Sequence, residues 1–579
     1  MRKTKIICTL GPATDDENVL RELVRSGMNL ARFNFSHGTH EEHFKRLQLL
    51  RRIVAEEGAT VATLLDTKGP EIRTGQFPEG KVELKMGEKI VIRHDDVPGN
   101  AHEFSVSYKD MHKDVKVGSP ILIDDGSVEL LVDSISPEGD ISCTIQNGGF
   151  VSDYKSINLP DSFVNLPALT ERDVSDLKFA VDNDMDFIAA SFVRRPSDVA
   201  EIRQTLERFG NRDIRIIAKI ENREGVDKFE EILHVSDAIM VARGDLGVEI
   251  PAYEVPRVQK NMIRLCYRFG IPAITATQML DSMIRNPRPT RAEVSDVANA
   301  IMDGTSAIML SGETASGKYP VEALQMMSRI AEETERNYDY WDFFRHAGEK
   351  VRPTVGNAIS HSCCTTAMDL QAKAIVAMSI SGRTARLISR FRPGCPIIAT
   401  AASEKVSRQL QLSWGVIPYH VKPVNTTDAI FQKGVDIAVN SGLVKTGDVV
   451  VITCGTPVGM SGTTNTLKVQ NIGNVLCQGK GIGKGIISKE VLNTSEKDFS
   501  MSNIPRDKYI VVAKNTNNDL MPLLRQAAGI VVENPDPNGH AITVAEALNI
   551  PVIYDCSNAT SILRSGLIVS MNVKSGLIG

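Results

Sequence analysis

Lys219 and Glu221 stand two apart at the end of the run Ile214-Arg215-Ile216-Ile217-Ala218-Lys219-Ile220-Glu221-Asn222. The apolar neighbours mark a buried strand, and side chains two apart on a strand share a face. The ammonium and the carboxylate therefore point the same way at the strand's carboxyl end. A second apolar run, Ala238-Ile239-Met240-Val241-Ala242, ends in Arg243-Gly244-Asp245. An ammonium, two carboxylates and a glycine turn at the ends of successive strands are parts for holding a metal ion and an anion.

Other strand ends add to this set. One closes Arg32-Phe33-Asn34-Phe35-Ser36-His37-Gly38, with Arg32, Asn34 and Ser36 on one face; another closes Asp66-Thr67-Lys68-Gly69-Pro70-Glu71-Ile72-Arg73; a third gives Thr275, Thr277 and Gln278. Glu221 and Asp245 offer hard oxygens suited to Mg²⁺ or Mn²⁺. Asn34, Ser36, Asp66 and Thr67 combine one charge with neutral oxygens, a poor magnesium cage but a fair site for a larger monovalent cation. Arg32, Arg73 and Lys219 can neutralise a phosphoryl group in transfer. Thr277 can order a small carboxylate or a water. Taken singly, each has a plainer reading: an ion pair for Lys219 and Glu221, a helix cap for Thr277, a turn for Asn34 and Ser36. Polar groups rarely end buried strands without partners, so their joint occurrence at equivalent strand ends points to one site.

The elements that must position these residues follow from the hydrophobic pattern. Strands are expected at Lys5–Leu10, Met28–Phe35, Thr60–Asp66, Asp186–Phe192, Ile214–Ile220, Ala238–Ala242, Pro272–Ala276 and Thr305–Leu310, with amphipathic helices between them, such as 39–57 and 199–209. Eight strand–helix units predict an α/β fold, a (β/α)8 TIM barrel, over a doubly wound open sheet. Residues 1–69 and 168–345 form this barrel. Residues 70–167 interrupt it with short alternating runs broken by Gly, Pro and Asp-Asp-Gly, the spacing of a small β domain. Hung from the carboxyl end of the third strand, that domain is placed to act as a lid. Residues 346–473 read as a further α/β domain. The glycine-rich stretch Gly479-Lys480-Gly481-Ile482-Gly483-Lys484-Gly485 reads as a flexible link within a last domain, 474–579.

Composition excludes several classes. The chain has 579 residues, a net charge of -5 and no basic block, so nothing favours nucleic acid. Its nine cysteines form no Cys-x-x-Cys pair, which argues against a disulfide framework or a zinc site and fits a reducing cytosol. No apolar run approaches membrane-span length, and the amino terminus carries no signal-peptide core.

The motifs 34–38, 65–73, 218–222, 240–249 and 276–280, in order, closely resemble the pyruvate kinase family over about residues 1–472. The last hundred residues resemble the extra C-terminal domain of some bacterial members, similar in turn to the phosphohistidine domain of enzymes that use phosphoenolpyruvate. The resemblance implies phosphoryl transfer from phosphoenolpyruvate to ADP. It implies Mg²⁺ (or Mn²⁺) on Glu221 and Asp245, and Lys219 stabilising the phosphoryl group. Arg32, Gly244, Asp245 and Thr277 would contact phosphoenolpyruvate; Arg73, His37 and the lid residue Lys155 would face the nucleotide. Asn34, Ser36, Asp66 and Thr67 would hold K⁺, and Glu71 stands where members that dispense with K⁺ tend to carry Lys.

The loop Ser379-Ile380-Ser381-Gly382-Arg383-Thr384 joins a strand to a helix, and its hydroxyls, glycine and free amides suit a phosphate; alone it is a plain cap. In the family this loop binds an effector. The later loop 453–462 lacks the Trp and Arg that some members use for a second phosphate, so AMP or a sugar monophosphate is expected over a bisphosphate. The family also suggests a cytoplasmic homotetramer with no nucleic-acid or membrane partner. His540 sits in Asn-Gly-His where the phosphohistidine pattern has Thr-Ser-His, so a structural role is the simpler expectation. Two rival functions stay in view: a carbon–carbon lyase on a related barrel, which would need neither the lid nor the monovalent cation set, and a silent phosphate sensor, which should have lost Lys219, Glu221, Asp245 or Thr277.

Overall fold

Runs of Ile, Ala and Val between amphipathic helices close on themselves in the computed structural model, which describes residues 1–579 except 161, 348–353, 423, 425, 458–463, 474, 498 and 501–507, and except the side chains of 346 and 347. The eight barrel strands are β1 Lys5–Leu10, β2 Leu30–Asn34, β3 Ala62–Asp66, β4 Phe187–Ala190, β5 Arg215–Ile220, β6 Ala238–Ala242, β7 Ala273–Ala276 and β8 Ala307–Leu310. They form a closed parallel barrel, β1 pairing with β2 on one side and β8 on the other.

Alternation along each strand divides the core into two layers. Ile216, Ala218 and Ile220 of β5 pack outward in the cluster shared with the helices. Ile217 faces the barrel interior with Leu30, Ala62, Leu64, Phe187, Ala189 and Met240. Period two then carries the interior face upward, from Ile217 to Lys219 and from Leu64 to Asp66. Register aligns the ends: Thr9 opposes Arg32, Arg32 opposes Leu64, and Asn34 opposes Asp66. The polar residues are thus the last layer of a packed barrel.

The insertion after β3 begins at Gly69, whose φ of +71° favours glycine and whose added Cβ would stand 2.9 Å from Ser191 Cβ. Its N–H donates to Asp173 Oδ1 at 3.0 Å, and Asp173 also closes the capping box with Thr170 that starts the next barrel helix. The insertion builds a seven-stranded sheet and a separate two-stranded one. A single antiparallel bridge, Thr74 with Val106, ties the sheet's two outer strands, Ile72–Arg73 and Glu103–Ser105, into a barrel-like closure. It carries its own core, including Ile90, Phe104, Ile121, Leu130 and Cys143.

The chain divides into two compact units, one of Met1–His361 with Ser379–Pro423 and the other of Ser362–Met378 with Val424–Gly579. In the first, helix Arg383–Arg390 and the parallel strands Ile397–Ala401 and Val416–His420 accompany the barrel. Arg408 anchors them, its Nε 2.9 Å from Asp186 Oδ1 and its Nη2 2.8 Å from Asp184 Oδ2.

In the second unit, Ala374–Ala377 runs parallel to Val449–Gly455, which pairs antiparallel with Thr464–Asn471. A mixed eight-stranded sheet follows. The glycine-rich stretch is not the flexible link its composition suggested: Lys480–Ile482 is an edge strand on Val552–Tyr554. Its glycines serve close packing, since a Cβ on Gly481 would fall 1.7 Å from the Val573 carbonyl oxygen. Among the described residues no helix is long and apolar enough to cross a membrane.

Candidate active site

At the carboxyl end of the barrel the interior layer becomes a charge network. Lys219 Nζ lies 2.9 Å from Glu221 Oε1, 3.1 Å from Asp66 Oδ1 and 2.7 Å from Ser191 Oγ. Arg32 Nε donates to the other Asp66 oxygen at 2.6 Å, and Arg32 Nη1 donates to Thr9 Oγ1 at 3.0 Å. The second oxygen of Glu221 accepts the Phe192 N–H at 2.6 Å. All of these side chains are buried.

Burial alone would discharge such groups. It works against the Lys219 ammonium, but the Asp66 and Glu221 carboxylates outweigh it and hold the pKa above the ordinary lysine value. Asp66, despite burial, is held below the usual carboxylate range by Arg32 and Lys219. Glu221 goes the other way: burial, helped by the nearby Asp245 charge and opposed by Lys219, raises it to about 7. A carboxylate kept from full ionisation by its surroundings is one that a divalent cation would satisfy. Among the described residues no group of three or more His, Cys, Asp and Glu gathers in a metal-holding arrangement. Two carboxylates with room for water and phosphate oxygens are what Mg²⁺ ordinarily takes from a protein.

Backbone strain collects at the same rim. Phe192, Thr277 and Gln278, just beyond β4 and β7, have φ of 54°, 74° and 56°, costly for side chains with a Cβ and concentrated where function over-determines geometry. Arg243 Nη2 holds the Thr277 carbonyl at 2.8 Å while its Nη1 pairs with Asp296 at 2.7 Å. Gly244 packs against Thr277, where a Cβ would come 2.9 Å from Thr277 Cγ2. Gly244 and Asp245 open the short helix Arg243–Glu249, so Thr277, Gly244 and Asp245 converge.

The monovalent-cation set is partly engaged. Asn34 Oδ1 accepts the Ser36 N–H at 3.2 Å, Thr67 Oγ1 takes the Ser191 N–H at 3.2 Å, and both Asp66 oxygens already face cations. The nucleotide-facing candidates sit on the lid or in an exposed loop. Arg73 is paired with Glu71 at 2.6 Å and donates to the Tyr154 carbonyl at 2.9 Å. Lys155 pairs with Asp124 at 2.9 Å. His37 is exposed, its carbonyl accepting from His43 Nε2 at 2.9 Å. An open cleft lies between the inserted domain and the barrel, lined by Glu71, Asp125, Phe192, Asn222, Asp245 and Glu249.

In the loop 379–384, Gly382 is left-handed at φ 74° ahead of helix Arg383–Arg390. The Ser379 N–H donates to Thr400 Oγ1 at 2.9 Å and the Ser381 carbonyl accepts from Arg386 at 3.0 Å; Thr384 is buried and Arg383 follows the turn. Of the later loop, residues 458–463 lie outside the described residues. His540 has both ring nitrogens engaged, Nδ1 with Thr516 Oγ1 at 2.9 Å and Nε2 with Asn518 Oδ1 at 3.1 Å.

Sequence reasoning missed Ser191, Thr9 and the lid contact Asn158–Glu249. Ser191 was findable: it stands two beyond Ala189, so it continues the interior face of β4 as Asp66 continues that of β3.

The chain is similar to known proteins along nearly its whole length. Residues 1–324 match the family profile described as pyruvate kinase, barrel domain; residues 357–470 match pyruvate kinase, alpha/beta domain; residues 505–576 match PEP-utilising enzyme, mobile domain. Curated proteins named pyruvate kinase from Geobacillus stearothermophilus and Sporosarcina psychrophila are each 48% identical over 579 residues, covering 100% of this chain and 98% and 99% of theirs. A crystal structure titled as a pyruvate kinase from Cryptosporidium parvum aligns with TM-score 0.78 at 41% identity, covering 82% of this chain and 96% of that one.

Proposed function

The chain belongs to the pyruvate kinase family of phosphotransferases, and on that premise we propose that its barrel rim moves the phosphoryl group of phosphoenolpyruvate to ADP. The bond from phosphorus to the enol oxygen breaks, a bond to the terminal ADP oxygen forms, and the enolate carbon takes a proton to give pyruvate. The observation that carries this reading is the Lys219 ammonium, buried yet kept charged beside Asp66, Glu221 and Ser191.

Phosphoryl transfer asks a protein for positioning and for positive charge placed before the reaction. Lys219 and Arg32 supply that charge where the group is in flight. Their network fixes both side chains, so little reorganises during transfer. Gly244 lets its backbone pack closely against Thr277, so that both would contact the substrate carboxylate, and the Thr277 hydroxyl orders the water that delivers the proton to carbon. Glu221 and Asp245 would hold Mg²⁺ or Mn²⁺, and that ion when bound would neutralise phosphoryl oxygens. Asn34, Ser36, Asp66 and Thr67 would hold K⁺.

The lid, residues 70–167, brings Arg73 and Lys155 to the nucleotide, with His37 across from them. Barrel residues 1–69 and 168–345 perform the chemistry. Residues 346–473 serve as the effector domain, where Ser379, Ser381, Gly382, Arg383 and Thr384 would receive the phosphate of AMP or a sugar monophosphate. Residues 474–579 form a structural extra domain, a role supported by the two hydrogen bonds that occupy His540. The enzyme works in the cytoplasm as a homotetramer.

ATP and pyruvate formation from phosphoenolpyruvate and ADP, compared between wild type and Lys219→Met, tests the reading. The wild type is active with Mg²⁺ and K⁺, and the variant loses about three orders of magnitude in kcat, the size of a preorganised charge. Wild-type inactivity with both ions and candidate effectors present would sink it.

A further inference from the structure

A second concentration of positive charge lies at the other end of the barrel. Arg386, Arg390 and Arg392 line a shallow, solvent-open recess together with Gly270, Ala273 and Ser306. Ala273 begins β7 and Ser306 immediately precedes β8, so this recess faces the amino ends of the strands, away from Lys219.

Among the described residues none of the three guanidinium groups has a carboxylate partner; Arg392 lies over the Trp414 ring at 4.7 Å and Arg390 beside the Phe391 ring at 5.6 Å, contacts that leave N–H groups of both unpaired. Arg390 and Arg392 are 8% and 6% exposed. Their hydrogen bonds go to neutral oxygens: Arg390 Nη2 to the Arg268 carbonyl, and Arg392 Nη2 to the Gly304 carbonyl at 2.8 Å and Ser306 Oγ at 3.0 Å. Arg386 Nη2 reaches the Ser381 carbonyl at 3.0 Å. Arg390 Nε, Arg392 Nε and Arg392 Nη1 are buried without any hydrogen-bond partner. Among the described residues no carboxylate forms an ion pair with any of the three. The acidic groups that act on them from a distance are the phenols of Tyr267, Tyr338 and Tyr340, uncharged at neutral pH, and two carboxylates used elsewhere: Glu335 accepts the Lys3 and Thr4 N–H groups, and Asp237 pairs with Arg203 and Arg215. Burial pulls the Arg386 and Arg392 guanidinium groups down to about 10, which leaves them charged at neutral pH.

A buried cation without a counter-charge and a buried N–H without an acceptor are both strongly unfavourable. An anion removes both deficits together. The planar N–H fork of arginine matches an oxyanion in particular, and a tetrahedral one offers enough oxygens for two forks. Gly270 keeps the wall close, since a Cβ there would stand 3.1 Å from Arg390 Cδ. We infer that this recess is a binding site for a small oxyanion of the inorganic phosphate class, held by Arg390 and Arg392 with Arg386 beside them and separate from the catalytic rim.

The test titrates the full-length protein with inorganic phosphate, ionic strength held constant with chloride, and follows the thermal unfolding midpoint. Wild type gains about 2 °C or more at phosphate well above the dissociation constant. Arg390→Met and Arg392→Met lose most of that gain, while Lys219→Met, altered only at the catalytic rim, keeps it. An equal gain in wild type and both arginine variants overturns the inference, as does a gain lost only in Lys219→Met. Should neither arginine variant fold, crystals of the wild type soaked in selenate decide. An anomalous peak within hydrogen-bond distance of Arg390 and Arg392 supports the site, and its absence overturns it.

Discussion

Lys219 Nζ on β5 and Glu221 Oε1, two residues on and just beyond the strand's end, meet at 2.9 Å inside the barrel mouth. The pairing leaves Glu221 its second oxygen, which the Phe192 N–H holds at 2.6 Å. Glu221 is therefore oriented by a cation and a backbone donor, and its raised pKa marks it as short of positive charge.

Glu221→Gln keeps an acceptor for the Phe192 N–H but removes the charge. Mn²⁺ affinity, read from the loss of the free-ion electron-spin signal on titration, is expected to fall by about two orders of magnitude, since one of two charged ligands is gone. The fold should persist, with Lys219 still neutralised by Asp66. Unchanged Mn²⁺ affinity would remove Glu221 from the metal site.

The proposed potassium dependence rests on Glu71, which is spent on Arg73 and brings no ammonium to the rim. Initial rates at saturating substrates are expected to be several-fold higher in K⁺ buffer than in Na⁺ buffer. Equal rates would defeat the assignment of Asn34, Ser36, Asp66 and Thr67 to K⁺.

Asn158 of the inserted domain donates to Glu249 Oε1 at 2.8 Å, at the end of the helix Arg243–Glu249 whose first turn holds Gly244 and Asp245. Asn158→Asp sets two carboxylates against each other and should loosen the lid. KM for ADP is expected to rise about tenfold, one lost hydrogen bond plus like-charge repulsion, with the urea midpoint of the chain unchanged. An unaltered KM would mean that the contact does not position the lid.

Lys5 is buried, its Nζ donating to the Val416 carbonyl at 2.6 Å. Burial, reinforced by Arg2, lowers its pKa to about 7, whereas an unfolded lysine titrates near 10.4. Between those values the unfolded chain holds a proton that the folded chain has released, so this residue makes stability rise with pH. The slope is on the order of 1 kcal/mol per pH unit, and the full penalty remains below about pH 7. Lys5→Met should be the more stable protein at about pH 7, with its advantage shrinking by about pH 9; urea midpoints at the two values measure this. A constant difference would show that Lys5 stays charged when buried.

Much of the architecture was legible because its signals are local. Each of the eight barrel strands falls where an apolar run predicted it, with ends shifted by a residue or two, as from Met28–Phe35 to Leu30–Asn34. The glycine-rich stretch misled because composition registers glycine's freedom, while the structure uses its small size under Val573. Ser191 carried the two-residue signal, standing two beyond Ala189, but its role as a partner of Lys219 shows only once β3 and β5 stand on either side of β4.

The sequence by itself determined which residue types end the strands and, through the two-residue period, that Lys219 and Glu221 share a face. Side-chain direction along a strand is a local property of the backbone. Only the tertiary structure decided that Lys219 stands between Asp66 and Glu221, that Arg32 takes the other Asp66 oxygen, and that Arg390 and Arg392 are buried without a counter-charge. Those outcomes depend on barrel closure, on the register between strands distant in sequence and on the desolvation that closure imposes, none of which a one-dimensional pattern contains.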